Sequence, residues 1–218
     1  MNSSPNIQTF CINCTLPLSG CICGIAPTLS LTTPTHILFH PNELQRRNSS
    51  GRLLKNCIGI KSTQWHRLNN EILEEKFNGY ALLYPTSDNE TLDNNVPVQQ
   101  AKNADNLDLD PYPVDSRSDP IGFLWIDATW QESRKMLRQS PWLKKLPKYS
   151  ISAHLDATLP KSQYTLRRNQ TNEGLSTIET FAYWLHEQNQ PKDAQDLLNF
   201  FNQFQSAFLA ARNSGLFK

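Results

Sequence analysis

Three short apolar runs, at residues 35–39, 80–84 and 121–126, constrain this chain more than any other feature, because helical patterns at 52–58 and 68–76 alternate with them. A run apolar at successive positions predicts a strand buried on both faces. Its alternation with helices predicts a parallel sheet covered on both sides. The expected fold class is therefore α/β. At 218 residues the chain can bury one good core, and its 38% hydrophobic content is that of a folded protein.

The C-terminal part reads as two helices. Ser176-Thr177-Ile178-Glu179 matches a capping box, from which a helix runs to about Glu187. Beyond Pro191, Leu197, Phe201, Phe204 and Phe208 recur at helical spacing, which predicts a core-facing stripe on a helix ending near Arg212. Residues 87–119 are rich in Asp, Asn, Gln and Pro without apolar periodicity, and are expected to form a disordered insertion.

Four of the five cysteines, Cys11, Cys14, Cys21 and Cys23, fall in the order Cys-x2-Cys-x6-Cys-x-Cys. Thiolates so spaced can converge on one Zn²⁺ in a small knuckle spanning residues 1–30; free or redox-active thiols are the other reading. A four-thiolate site has a closed shell, so its role would be folding and not chemistry. Cys57 stands apart in an apolar context and reads as a buried core residue. No apolar stretch nears the roughly 20 residues that span a bilayer, and no basic segment leads an apolar run at the N-terminus. The expectation is a soluble, cytoplasmic protein without a membrane partner. A monomer is the simpler reading of its oligomeric state.

The net charge of +1 hides a segregation by sign. Residues 40–67 carry about six basic side chains against one acid, and residues 131–168 about nine against two. That is the footprint of a phosphate-facing surface, although a solvated basic face would read the same.

Directly after the 121–126 run comes Asp127-Ala128-Thr129-Trp130, then a helix through Gln139. Open α/β sheets gather their ligands at the carboxyl ends of strands, where this acid falls. Taken alone, the acid and threonine could be a helix cap and the indole a core residue.

The blocks taken in order resemble the DTW-domain family, whose pattern is Asp-x-Thr-Trp after a strand. His40-Pro41-Asn42-Glu43, Ser50-Gly51-Arg52-Leu53, the basic helix from Trp130 to Arg138, Pro141-Trp142-Leu143, Tyr164-Thr165-Leu166-Arg167 and Leu175-Ser176-Thr177-Ile178-Glu179 are similar to further family segments, and the cysteines to its metal knuckle. Ala128 stands where the family usually has Gly, and the insertion is longer than expected.

The resemblance implies a SPOUT-like parallel sheet with a C-terminal knot, which no periodicity shows, in a catalytic domain spanning 31–218. It further implies tRNA-uridine aminocarboxypropyl transfer: the 3-amino-3-carboxypropyl group of S-adenosylmethionine moves to uridine N3 and methylthioadenosine leaves. Asp127 is then the candidate base or a ligand of the donor's amino group, with Thr129 and Trp130 orienting substrates. His40, Glu43, Arg52, Leu175, Ser176, Thr177 and Glu179 are the candidates for holding S-adenosylmethionine. Arg134, Arg138, Lys144, Lys145, Arg167 and Arg168, with Arg46 and Arg47 as a second cluster, are those for tRNA. Methyl transfer from the same donor, and RNA binding by a zinc knuckle without catalysis, are the alternatives.

Overall fold

The structure is a computed structural model and describes residues 9–84, 119–149, 162–166 and 175–217. The insertion, apart from Asp119, and the pair Arg167 and Arg168 lie outside the described residues.

Five strands form one parallel sheet: β1 Thr35–Phe39, β2 Ile60–Gln64, β3 Tyr80–Leu83, β4 Gly122–Asp127 and β5 Lys148–Tyr149, in the order β2-β1-β4-β3-β5. The helices are α1 Pro41–Gln45, α2 Gly51–Leu54, α3 Asn70–Lys76, α4 Trp130–Gln139, α5 Pro141–Lys145, α6 Thr177–Glu187 and α7 Pro191–Asn213. Successive side chains of a strand point to opposite faces, and here both faces are covered. Ile37, Phe39, Leu83, Phe123 and Trp125 share one apolar cluster with Leu53, Phe181, Trp184, Leu197, Phe201 and Phe204 from α2, α6 and α7. Leu38, Leu82 and Leu124 share the other with Leu73 of α3, Phe77 just after it, and Met136, Leu137, Trp142 and Leu143 from α4 and α5. This two-sided burial is why the central strands read as largely apolar runs.

The C-terminal expectations hold. α6 starts after Ser176 and ends at Glu187, and α7 buries Leu197, Phe201, Phe204 and Phe208. Cys57 is buried, and burial pushes its thiol up to about 12. Among the described residues no helix is long and apolar enough to cross a membrane.

Some boundaries differ from the sequence reading. The helix expected over 52–58 stops at Leu54, because the chain must reverse through Gly59 at φ +103° to begin β2 at Ile60. The third apolar run shifts by one residue, so Ile121 is exposed and Asp127 becomes the last residue of β4. Gly122 is required there, since a Cβ would lie 2.4 Å from the Tyr80 ring and 2.8 Å from the Pro34 carbonyl oxygen. β2, Ile-Lys-Ser-Thr-Gln, is a half-exposed edge and carried no apolar signal. The connection from β5 to α6, where a knot would have to be tied, runs largely through residues outside those described.

Candidate functional site

The carboxyl ends of β1 and β4 lie side by side, with Phe39 in register with Asp127 and the His40 N–H donating to the Asp127 carbonyl at 3.0 Å. The His-Pro-x-Glu and Asp-x-Thr-Trp segments therefore leave the sheet together. Thr129 caps α4: its hydroxyl accepts from the Glu132 N–H at 3.3 Å, while the Glu132 carboxylate accepts from the Thr129 N–H at 3.0 Å. That reciprocal box was legible as Thr-x-x-Glu and Glu132 was nonetheless missed.

Glu132 is the hub between α4 and α1. It accepts from Asn42 Nδ2 at 2.7 Å and from Arg46 at 3.1 and 3.2 Å. Burial opposes its ionisation, but the Thr129, Asn42 and Arg46 donors outweigh that and hold it near 2, well below the usual carboxylate range. His40 caps α1 by accepting the Asn42 N–H through Nδ1 at 3.3 Å, and its ring stacks on Trp65. Burial lowers its pKa, so its 3.5 Å approach to Glu132 is a contact of a neutral ring and not an ion pair.

Asp127 is 2% exposed. Its carboxylate accepts from the Thr177 hydroxyl at 2.6 Å and the Ser49 hydroxyl at 3.3 Å, which brings the start of α6 and the loop before α2 to one group. Gly51 closes the third side: a Cβ there would sit 2.3 Å from the carboxyl carbon. Trp130, by contrast, is 49% exposed, stacks on Tyr84 at 5.6 Å, and has the Arg134 guanidinium over its ring at 5.9 Å.

Of the two residues expected to hold the donor's arm, Glu43 forms an ion pair with Arg46, one helical turn away. Arg52 instead donates to the Ile12 carbonyl at 3.2 Å. Around this corner three buried polar atoms, Glu43 Oε2, Ser50 Oγ and Arg52 Nε, have no hydrogen-bond partner among the described residues. Unsatisfied buried groups are uncommon, and these suit a ligand bearing both a carboxylate and an ammonium. At α6 the Ser176 N–H and hydroxyl donate to Glu179 at 2.8 and 2.6 Å, and Ser162 and the Gln163 N–H donate to the same carboxylate. Glu179 therefore holds segment 162–166 against the helix start. Leu175 is half-buried beside it.

The four knuckle cysteines converge, their sulfurs all within 4.8 Å of one another. Cys11 and Cys23 are 3.6 Å apart and Cys14 and Cys21 3.8 Å, against about 3.8 Å for the edge of a tetrahedron with metal–sulfur bonds of about 2.3 Å. The donor set can hold a metal ion. Burial resists ionisation of Cys11, yet backbone donors from Cys14 and Asn13 and the other thiols bring it down to about 7. Burial and those neighbours push Cys23 up.

Of the expected basic residues, Arg134, Arg138, Lys144 and Lys145 are exposed on α4 and α5, with Lys145 paired to Glu74 at 2.7 Å. Arg46 is committed to Glu43 and Glu132, and Arg47 packs over Phe10 at 4.3 Å.

An α/β sheet with this strand-end signature, capped helix and cysteine knuckle is that of the DTW domain family, and the chain belongs to that family, which matches residues 8–209. Among curated proteins it is similar to tRNA-uridine aminocarboxypropyltransferase 2 of Macaca fascicularis, 24% identical over 79% of this chain and 54% of the relative, and of Mus musculus, 28% identical over the same shares. It is also similar to tRNA-uridine aminocarboxypropyltransferase A of Arabidopsis thaliana, 24% identical over 80% of this chain and 70% of the relative. The chain thus spans about half the length of the first two. No solved structure matches it.

Proposed function

We propose that the chain is a tRNA-uridine aminocarboxypropyltransferase, with S-adenosylmethionine as donor and uridine N3 as nucleophile. The observation that carries this reading is the DTW signature at the carboxyl end of the central strands, in a chain whose family match spans residues 8–209 and whose relatives bear that name. The donor supplies a carbon already activated by sulfonium: the C–S bond breaks, an N3–C bond forms, and the N3 proton must leave.

The protein's part is to hold, align and accept that proton. Arg52 and Glu43, with Ser50, offer unfilled polar valences for the donor's carboxylate and ammonium. Trp130 is the exposed aromatic on which a base can stack, with Arg134 beside it. Thr129 fixes the start of α4, and Ser176 and Thr177 the start of α6. Arg134, Arg138, Lys144 and Lys145 face solvent for the RNA backbone. The SPOUT-like knot and the placement of Arg167 and Arg168 belong to the same proposal. Zn²⁺ on Cys11, Cys14, Cys21 and Cys23 supplies folding energy in a closed shell.

Asp127 as base requires the Thr177 hydroxyl to be displaced, because the carboxylate is sealed in this structure. As it stands Asp127 positions the α6 start and the 49–51 loop. Asp127→Asn separates the roles: a base predicts normal S-adenosylmethionine binding with lost turnover, whereas a positioning group predicts lost binding as well.

The deciding experiment is mass spectrometry of nucleosides from tRNA incubated with protein and S-adenosylmethionine. Uridine heavier by one aminocarboxypropyl unit, with release of methylthioadenosine, is the expected result. Gain of a methyl group would move the chain to methyl transfer. No product together with no heat on titration with the donor would leave a binding module.

A further inference from the structure

We propose a second RNA contact, a phosphate site in the cavity between α4 and the segments that follow β1 and β2. It rests on the reading that this chain acts on tRNA. The cavity, of about 230 Å³, is lined by Pro41, Trp65, His66, Arg67, Lys135 and Gln139. Pro41 opens α1 directly after β1, and residues 65–67 leave the end of β2, so the cavity lies at the same carboxyl edge of the sheet as the signature.

Its chemistry is one-sided. Arg67 and Lys135 are exposed cations, and among the described residues no acid lines the wall. His66 Nδ1 accepts the Leu68 N–H at 3.3 Å, so in the neutral ring the proton sits on Nε2, which is left as a donor. The floor is built: the Trp65 indole is buried, its Nε1 donates to Ser140 at 2.8 Å, and its ring stacks on His40. A packed apolar floor beside cationic and neutral donors suits an anion.

Size selects the occupant. The cavity is smaller than the roughly 300–1,000 Å³ of pockets that engulf a ligand, so it takes a phosphate with part of its ribose and not a whole nucleotide. Lys135 lies five residues beyond Trp130 on α4, about 7.5 Å along the axis and about 140° around it at 3.6 residues per turn, so the two side chains stand on different faces of the helix. A strand whose target base reaches Trp130 and that continues past the exposed Arg134 and Arg138 around α4 would bring a further phosphate to the cavity on the α1 side.

The test is Arg67→Gln with Lys135→Gln, both at exposed positions, with Lys192→Gln on α7 as a control. tRNA affinity is measured across a salt series, and S-adenosylmethionine binding by calorimetry. Loss of two phosphate contacts should flatten the slope of log affinity against log salt by about 1.4–1.8, with donor binding and the control unchanged. Amine-reactive labelling of the wild type should show Lys135 protected by tRNA and not by inorganic phosphate at equal phosphate concentration. A wild-type slope in the double variant, while the wild type still modifies uridine, overturns the site and leaves the transferase reading standing. Protection by inorganic phosphate alone overturns the RNA assignment. Absence of tRNA binding by the wild type overturns both readings.

Discussion

Gly51→Ala tests whether Asp127 is held in a closed contact. An added Cβ would lie 2.3 Å from the carboxyl carbon of Asp127 and 2.4 Å from each oxygen. Carbon atoms settle near 3.5 Å, so one group must retreat by about 1 Å. Neither can do so without loss: Asp127 ends a central strand in register with Phe39 and is bonded to Thr177 and Ser49, and Gly51 is buried in α2. Overpacking costs about 1–3 kcal/mol and a lost hydrogen bond to a charged group about 1.5–3 kcal/mol. The better helix propensity of alanine returns less than about 1 kcal/mol. A net loss of about 2–5 kcal/mol is expected, a large fraction of the roughly 5–15 kcal/mol of a typical domain. Urea unfolding measures it, with Gly20→Ala as the control, since a Cβ at Gly20 meets nothing within 4 Å. Calorimetry with S-adenosylmethionine should show weakened binding, because the α2 start carries Ser50 and Arg52. A Gly51→Ala protein as stable as wild type, with normal donor binding, would refute the closed contact.

His36 is buried, and burial, then Lys76 and Lys61, lower its pKa to about 4. The unfolded chain takes up that proton near 6.5, so stability is whole above about 6.5 and falls by up to about 3 kcal/mol as pH drops toward 4; His36→Gln should flatten that limb in urea titrations. Glu132, depressed to about 2, contributes stability above about 4.5 that is lost as pH falls toward 2, and Glu132→Gln should remove that dependence. Trp130→Ala should change stability by no more than about 1 kcal/mol, since the ring is half-exposed, yet weaken tRNA use roughly five- to hundredfold through the lost stack, read as KM for tRNA. Elemental analysis should find about one zinc per chain, and a strong chelator should lower the unfolding temperature; an unchanged melting curve in the metal-free protein would remove the folding role assigned to the knuckle.

The sequence showed what two-sided burial writes into a chain. β1, β3 and β4 were legible because Leu38, Leu82 and Leu124 face one helical layer while Phe39, Leu83 and Trp125 face the other, and the polar Thr35, His36 and Asp127 fall only at strand ends. β2 was illegible because an edge strand with Lys61, Ser62 and Gln64 partly in water needs no apolar signal. At the site, caps written in local spacing could be read, as with Ser176 and Glu179. The closure of Asp127 could not, because Ser49 and Thr177 lie 78 and 50 residues away and only the tertiary fold brings their hydroxyls to it. Arg46 and Arg47 were taken for RNA contacts from charge alone. The fold adds what charge does not show: Arg46 pairs with Glu132 far along the chain, and the exposed Arg47 lies over Phe10 of the knuckle.

Those contacts also change what the knuckle is. Cys11, Cys14 and Leu16 sit in the same apolar cluster as α6 and α7, so the N-terminal segment shares the core of the sheet domain. Its turn reaches the functional corner twice: the Ile12 carbonyl accepts from Arg52 at 3.2 Å, and the Thr15 hydroxyl donates to the Arg47 carbonyl at 2.6 Å. Thr15 itself adopts φ +64°, a conformation that a threonine holds only where its surroundings impose it. A metal gathering the two halves of the cysteine set would therefore fix the loop that carries Ser49, Ser50, Gly51 and Arg52, and with it the wall around Asp127. On this geometry a metal held by the four cysteines would act on that corner through the backbone of residues 12–15 and the Arg52 guanidinium, with no chemistry at the metal itself.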